Sequence, residues 1–306
     1  MESLYFDAWK SLSTGEKESV IKDVTRKQNI PLKFKEMKKH ENIDLAFFQA
    51  GDEKLFAFVP GRRQITLGWD SKSSVLSKDT ISYMKKEFEE EFQYELEQWE
   101  ENKKDYIVGG GGLILDGIRY KPGTLMPGSV EEKPSKHTIE EWIDYVDDMT
   151  SPLRVLDISP MIVEICPITA KKDYKSELAP FRLPTEDEWE YLRGCGEKSF
   201  FSWEGFLETV FNSVYRISSG DLEQSDMDFI EKPNIFGLLF DLSTYVYELV
   251  DAECFVKGAD GGCSMCGGDG PFYTLPILSP FYRPKSDKKE IFENYYSYRR
   301  IIQIKI

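Results

Sequence analysis

Two cysteines near the C-terminus, Cys263 and Cys266, have the clearest capacity for chemistry in this chain. Two thiolates separated by two residues can chelate one soft ion such as Cu(I), or act as a redox dithiol whose first thiol is activated. A zinc site is a third option, with Cys254 and the two remote histidines as the only further candidate ligands. Glycines surround the pair, so the plain alternative is a surface loop with two incidental thiols.

Other residues that could do chemistry are sparse. The chain has five cysteines, an odd number for 306 residues, which favours reduced thiols over a disulfide framework. Cys166 and Cys195 lie beside apolar segments and are expected to be buried. The two histidines, His40 and His137, lie in no recognisable catalytic setting, and no Gly-x-Ser-x-Gly occurs, so a Ser-His-Asp hydrolase is not expected.

The composition is that of an acidic chain with enough apolar residues to fold. Hydrophobic residues make up 41% and the formal net charge is −15. The absence of a Lys/Arg cluster argues against direct contact with nucleic acid, because that affinity depends on basic residues. No apolar run is long enough to cross a bilayer and the first residues lack a basic leader, so we expect a cytoplasmic protein that does not contact a membrane.

Helices and strands that could position these residues can be read from the periodicity. Residues 1–45 are predicted to be a helical segment whose helix ends at Pro31. Residues 45–67 are predicted to form a β-meander, and residues 78–104 a long amphipathic helix with an acidic face. That face is either solvated or a docking surface for a basic partner. The fold class is α+β with much irregular loop. Three capping boxes mark helix starts: Ser13 with Glu16, Thr138 with Glu141, and Thr185 with Glu188.

Four stretches carry more specific information: residues 56–70, 151–169, 181–194 and 234–251. Residues 181–191 read Phe-Arg-Leu-Pro-Thr-Glu-Asp-Glu-Trp-Glu-Tyr, and residues 234–251 read Asn-Ile-Phe-Gly-Leu-Leu-Phe-Asp-Leu-Ser-Thr-Tyr-Val-Tyr-Glu-Leu-Val-Asp. They are accompanied by Val-Lys-Gly at 256–258 and Ser-Tyr-Arg at 297–299. Together these stretches resemble the formylglycine-generating enzyme family, also called the sulfatase-modifying-factor domain.

The resemblance implies a particular domain organisation. It covers residues 46–306, with residues 71–150 as an insertion that contains the long acidic helix. Residues 1–45 would then be a separate N-terminal helical segment. The implied fold is mixed, low in regular structure and related to C-type lectins.

The resemblance also implies a chemistry, in which two cysteines bind Cu(I) and use O₂ to oxidise a cysteine of a client protein to formylglycine. Cys263 falls at the first of these positions, but the second falls at Gly268, and Cys266 lies two residues earlier. Asn212 and Glu248 match candidate calcium ligands, although a neighbouring calcium ligand of the family is replaced in the pair Thr244-Tyr245. No histidine triad for the related iron enzymes is present.

These departures predict a diverged, non-catalytic member of the family that recognises another protein or a ligand in the cytoplasm. No cofactor is assigned: copper at the two cysteines and calcium at Asn212 and Glu248 are the candidates. One alternative is a copper- and O₂-dependent thiol oxidase that uses Cys263 and Cys266, and another is a subunit of a bacterial defence or conflict assembly. The predicted contact residues are aromatic: Phe272, Tyr273, Phe281 and Tyr282.

Overall fold

The computed structural model describes residues 2–74, 76–111, 113–115, 118–128, 132–201, 207–219, 232–242, 244–252, 256–264, 270–284 and 294–305. Helices alternate with largely antiparallel sheets along these residues, which confirms the predicted α+β class. The formylglycine-generating-enzyme arrangement itself stays a prediction. The helices are α1 (Phe6–Ser11), α2 (Thr14–Lys27), α3 (Lys78–Asn102), α4 (Ile139–Met149), α5 (Glu186–Gly194), α6 (Leu207–Ser219) and α7 (Gly270–Ile277).

A five-stranded antiparallel sheet forms the centre of the fold. Its order is β1 (Lys33–His40), β2 (Ile43–Gln49), β3 (Leu55–Val59), β10 (Met161–Glu164) and β15 (Ile301–Gln303). Successive side chains of a strand point to opposite faces. Phe56, Phe58 and Ile162 therefore pack with α1 and α2 on one face, and alternate residues such as Val59 and Val163 pack with α5 on the other.

The N-terminal segment differs from the prediction, because only part of residues 1–45 is helical. Helix α2 ends at Lys27, and β1 then forms the edge of the central sheet. Leu4, Trp9, Ile21 and Val24 are buried in the same core cluster as the strands. The sequence does not predict this strand, because its residues, KFKEMKKH, are mostly polar. In the structure, their side chains are exposed or only partly buried. A boundary at residue 45 would cut through β2, so the segment belongs to the same core.

Shorter strands complete the sheet structure, and one of them corrects the predicted meander. Strand β4 (Arg62–Leu67) pairs with β9 (Arg154–Ile158) in a separate ribbon rather than continuing the central sheet. A four-stranded sheet has the order β11 (Ile168–Thr169), β14 (Tyr296–Tyr298), β12 (Tyr247–Leu249) and β13 (Val256–Lys257). Residues 105–128 contain two further ribbons, β5 (Tyr106–Ile107) with β8 (Leu125–Met126), and β6 (Leu113–Leu115) with β7 (Ile118–Tyr120).

Four of the helices share a second apolar core, to which α6 contributes Val210 and Val214. Met84 and Phe88 of α3, Trp142 and Val146 of α4, and Phe272 of α7 are buried in one cluster. The capping boxes predicted at the starts of α2, α4 and α5 are all present. Within the described residues, no helix combines the length and the apolar character needed to cross a membrane.

Candidate functional site

Helix α5 organises the charged residues around the predicted site. Its first turn is fixed by Thr185, whose hydroxyl accepts the Glu188 backbone N–H at 3.2 Å while the Glu188 carboxylate accepts the Thr185 N–H at 2.8 Å. Arg182 donates to both oxygens of that carboxylate, at 2.6 and 2.7 Å. The fixed start turns Trp189, Glu190 and Arg193 into the protein interior.

A buried ion pair joins α5 to β13. Lys257 Nζ lies 3.0 Å from Glu190 Oε1, and both side chains have no exposed area. The second oxygen of Glu190 accepts a hydrogen bond from Arg154 at 3.0 Å. Both oxygens of this buried carboxylate are therefore occupied by cations, and Glu190 is unavailable as a catalytic base.

A second buried pair involves Glu248, one of the two candidate calcium ligands. Arg299, which has no exposed area, donates to both Glu248 oxygens and to the backbone carbonyl of Leu239 at 3.0 Å. Its guanidinium also lies 4.0 Å from the ring centre of Phe240. Asn212 is exposed on α6. A guanidinium thus occupies the carboxylate that would have to ligate calcium.

A third buried carboxylate, that of Glu164, is also paired with an arginine at both oxygens. Arg300 donates to both oxygens of Glu164, at 2.9 and 3.0 Å, and also to Asp52 at 3.0 Å. Burial raises the pKa of Glu164, while the hydrogen bonds from Arg300 oppose this effect. Within the described residues, no group of three His, Cys, Asp or Glu side chains is arranged to hold a metal ion.

Arg193 is a buried cation that has no carboxylate within ion-pair distance in the described part of the chain. Its side chain donates to the Leu278 carbonyl at 3.1 Å and lies 5.3 Å from the Trp189 ring. Burial lowers the pKa of Arg193 to about 10. The residue joins α5 to the end of α7 and does not face solvent.

Cys263, the first predicted catalytic cysteine, is exposed and follows a tightly hydrogen-bonded turn. The Asp260 carboxylate accepts the backbone N–H of Gly262 and of Ser264, both at 2.8 Å. Gly262 has φ +76°, and a Cβ at that position would lie 2.3 Å from the Tyr245 ring. Glycine is required there for both reasons. The Cys263 thiol is therefore accessible from a turn whose backbone is fixed.

The other cysteines do not complete a second site. Cys266 and Cys254 lie outside the described residues, so no copper, zinc or redox geometry can be assigned to the pair. Cys166, which was expected to be buried, is exposed. Cys195 is partly buried, and this burial raises its pKa to about 12.

The predicted aromatic contact residues lie mostly in the interior, in contrast to the role expected for them. Phe272, Phe281 and Tyr282 are 5%, 2% and 4% exposed, whereas Tyr273 is 37% exposed. Phe272 packs against the His137 ring with 4.4 Å between centroids, and its carbonyl accepts the indole N–H of Trp142 at 3.0 Å. Aromatic side chains in this apolar surrounding gain more from core packing than from exposure. Of the four, only Tyr273 can meet a partner without rearrangement.

A cavity of about 490 Å³ lies next to this aromatic group, between α3 and the start of α4. At the start of α4, the backbone N–H groups of Thr138 and Glu141 are already bonded to each other's side chains in the capping box. Lys136 is paired with Glu89 of α3. The cavity is lined by Lys85, Phe88, Lys136, His137, Thr138, Ile139 and Glu140.

Exposed large apolar side chains of the described residues are concentrated in another segment, residues 89–128, which we call the arm. Six of the eleven large hydrophobic side chains that are exposed in the described residues belong to these 40 residues. The sequence predicts a strand at residues 113–115, which the structure has as β6, but not the pairing of strands into two ribbons. An Asp116-Gly117 dipeptide between short apolar runs is a hairpin signal that could have revealed one. The six are Tyr94, Tyr106, Ile114, Leu115, Ile118 and Leu125.

Comparison with protein-family models, curated proteins and solved structures finds no match to this chain. The resemblance to the formylglycine-generating enzyme family therefore stays a prediction from the quoted motifs. Function has to be argued from the residues themselves, from the fully paired buried carboxylates and from the exposed apolar side chains of the arm.

Proposed function

We propose that this chain is a protein-recognition module, a diverged and non-catalytic relative of the formylglycine-generating enzymes. The observation that carries the proposal is the concentration of exposed apolar side chains in the arm. Contiguous exposed apolar surface on a folded protein is typical of interaction sites. Protein interfaces also favour large aromatic and aliphatic anchors of the kind that the arm presents.

The state of the buried charges supports a structural role for the region that the family resemblance marks as reactive. Glu190, Glu248 and Glu164 each have a cationic partner at both oxygens. Because both oxygens are occupied, none of these three carboxylates is free to take a proton or hold an ion, and breaking any of the pairs would be costly. We infer that the motifs were retained because they build the scaffold.

Partner recovery with altered cysteines tests the proposal. Tagged wild-type protein and the Cys263→Ser/Cys266→Ser variant are used to capture binding proteins from cells of the source organism. A recognition module is expected to recover the same partner in the same amount with either form. Loss of the partner in the double variant, at unchanged folding, would contradict a non-catalytic module.

A second candidate function is a copper- and O₂-dependent thiol oxidase, and the accessible Cys263 thiol is the observation that favours it. It requires sub-micromolar Cu(I) binding under anaerobic conditions and thiol-dependent O₂ consumption, both abolished by Cys263→Ser. Cys166→Ser is the matched control, because this thiol is also exposed. A wild-type protein that binds no Cu(I) in that range excludes the oxidase.

A further inference from the structure

The outer half of α3 projects beyond the core that holds its inner half. Met84 and Phe88 are buried, but no described residue between 89 and 102 is. At a rise of about 1.5 Å per residue, these 14 positions extend roughly 21 Å. Phe92, Leu96 and Trp99 lie one turn apart on one face and are only partly buried. The helix thus continues an apolar stripe past the point where the core covers it.

Unpaired negative charge lies on the same outer half. Four exposed carboxylates there have no ion-pair partner in the described part of the chain, and Tyr94 is 65% exposed among them. The sequence of the whole arm contains nine Asp or Glu residues and only four Lys or Arg residues. The four carboxylates belong to Glu95, Glu97, Glu100 and Glu101.

The ribbons of the arm are tied to the end of this helix. Gly128 N–H donates to the Asp105 carboxylate at 3.2 Å, and a Cβ on Gly128 would lie 2.1 Å from the Lys103 carbonyl oxygen. Strand β7 presents Ile118 at 57% exposure, paired with Leu115 of β6 at 48%. The chain that carries the apolar ribbon is therefore closed at the C-terminal end of the acidic helix.

We propose that the arm inserts its apolar ribbon into a hydrophobic groove of a partner protein whose rim carries lysine and arginine residues. This inference rests on the proposed function and specifies its partner. Burial of the exposed leucines and isoleucines would supply affinity, and the carboxylates of α3 would select a basic rim and speed association. A second copy of this chain is disfavoured as the occupant, because its net charge of −15 would repel the acidic arm.

Site-specific photo-crosslinking in cells of the source organism tests the proposal directly. A benzophenone amino acid replaces Ile118 in the arm or, as the control, Val155, which is 60% exposed outside it. We expect a heterologous crosslinked protein from position 118 only, with the crosslinked peptide next to a surface rich in Lys and Arg. Crosslinks from position 155 alone, a crosslink to a second copy of this chain, or a partner surface without basic residues would overturn the inference.

Charge reversal on the purified pair then tests the chemistry of the contact. Glu97→Lys/Glu101→Lys is expected to weaken binding of the crosslinked partner at least 10-fold at low salt, and the opposite reversal of its rim residues is expected to restore binding. Ile114→Ser/Ile118→Ser should weaken binding by a similar factor, whereas Val155→Ser should not. Equal affinity of all these variants would overturn the inference.

The outcomes separate this inference from the proposed function. A partner that binds independently of Cys263 and Cys266 but crosslinks outside the arm leaves the recognition module standing and rejects the arm as its contact. A chain that crosslinks to no other protein from either position and consumes O₂ with thiols rejects both.

Discussion

The buried pair of Glu190 and Lys257 should be the most costly charge contact to break. Removing Glu190 leaves the buried Lys257 with only a longer contact to Glu186, 3.7 Å away, and a poorly compensated charge in the interior is costly. We expect Glu190→Gln to lower the free energy of unfolding by about 3 kcal/mol, measured by urea denaturation. The control is Glu18→Gln, which removes a pair with Lys22 whose side chains are 40% and 52% exposed. It should cost less than about 1 kcal/mol, and similar losses for the two variants would contradict the prediction.

Asp44 and Lys17 predict a dependence of stability on pH. The hydrogen bond from Lys17 Nζ, 3.0 Å away, holds the pKa of Asp44 below its usual value. The folded pKa is thus below the unfolded one, so the stabilisation is complete above the unfolded value of about 3.9 and is lost as the pH falls through the folded value. Asp44→Asn should cost about 1.5 kcal/mol at pH 7.

This difference between wild type and Asp44→Asn should persist at pH 5 and shrink below about pH 4. Urea midpoints of both proteins at pH 7, 5 and 3 measure it. Asp23→Asn, at an exposed acid that pairs with Arg26 and Lys27 on the surface of α2, is the control and should change the midpoints much less. A difference that stays constant down to pH 3 would falsify the assigned cause.

At the scale of single elements, the capping box of α5 has a measurable contribution. Thr185 satisfies the N–H of Glu188, and this turn orients Glu190 and Arg193 toward their buried partners. Thr185→Ala should cost about 1 kcal/mol, and Thr185→Ser, which keeps the hydroxyl, should cost less. Thermal unfolding of the two variants measures the contrast. Equal losses would mean that the methyl group rather than the cap provides the stabilisation.

Helices were predictable from the sequence where local signals fix them. The capping pairs at Ser13, Thr138 and Thr185 are each complete within four residues, so no tertiary contact was needed to recognise them. The long acidic helix also stands out, because its 3.6-residue period runs over 25 residues and the structure gives it as Lys78–Asn102. The periodicity does not show that residues 89–102 of this helix are left uncovered by the core. An apolar stripe predicts burial in the same way whether or not another element packs against it.

Strands and side-chain roles were harder to predict because they depend on distant partners. The polar strand β1 is held in the sheet by its pairing with β2. Strand β4 does not join the expected meander, because it pairs with β9, some 90 residues later in the chain. Glu248 matched a calcium ligand by its motif, yet the fold brings Arg299 to it from 51 residues away. The burial of Phe272 likewise depends on α3 and α4, which form its surroundings.

At the scale of the whole molecule, the N-terminal helices are expected to fold together with the rest of the chain. Trp9 has no exposed area, its indole N–H donates to the Asp44 carbonyl at 3.0 Å, and its ring lies 4.6 Å from that of Phe58 on the central sheet. Removing a fully buried tryptophan side chain costs about 3–5 kcal/mol. This is a large part of the free energy of unfolding of a typical domain, which is about 5–15 kcal/mol.

Trp9→Ala should therefore shift the entire unfolding transition and should not create a separate early one. Far-ultraviolet circular dichroism and tryptophan fluorescence, followed in urea, are expected to give coincident curves at a lower midpoint. Trp99→Ala is the control, because Trp99 lies only partly buried on the outer half of α3 and should move the midpoint little. If Trp9→Ala instead produced a first transition of small amplitude with the main midpoint unchanged, residues 1–45 would be a separable segment. The shared core of α1, α2 and the central sheet predicts the opposite, because their apolar side chains occupy one cluster and cannot be exposed independently.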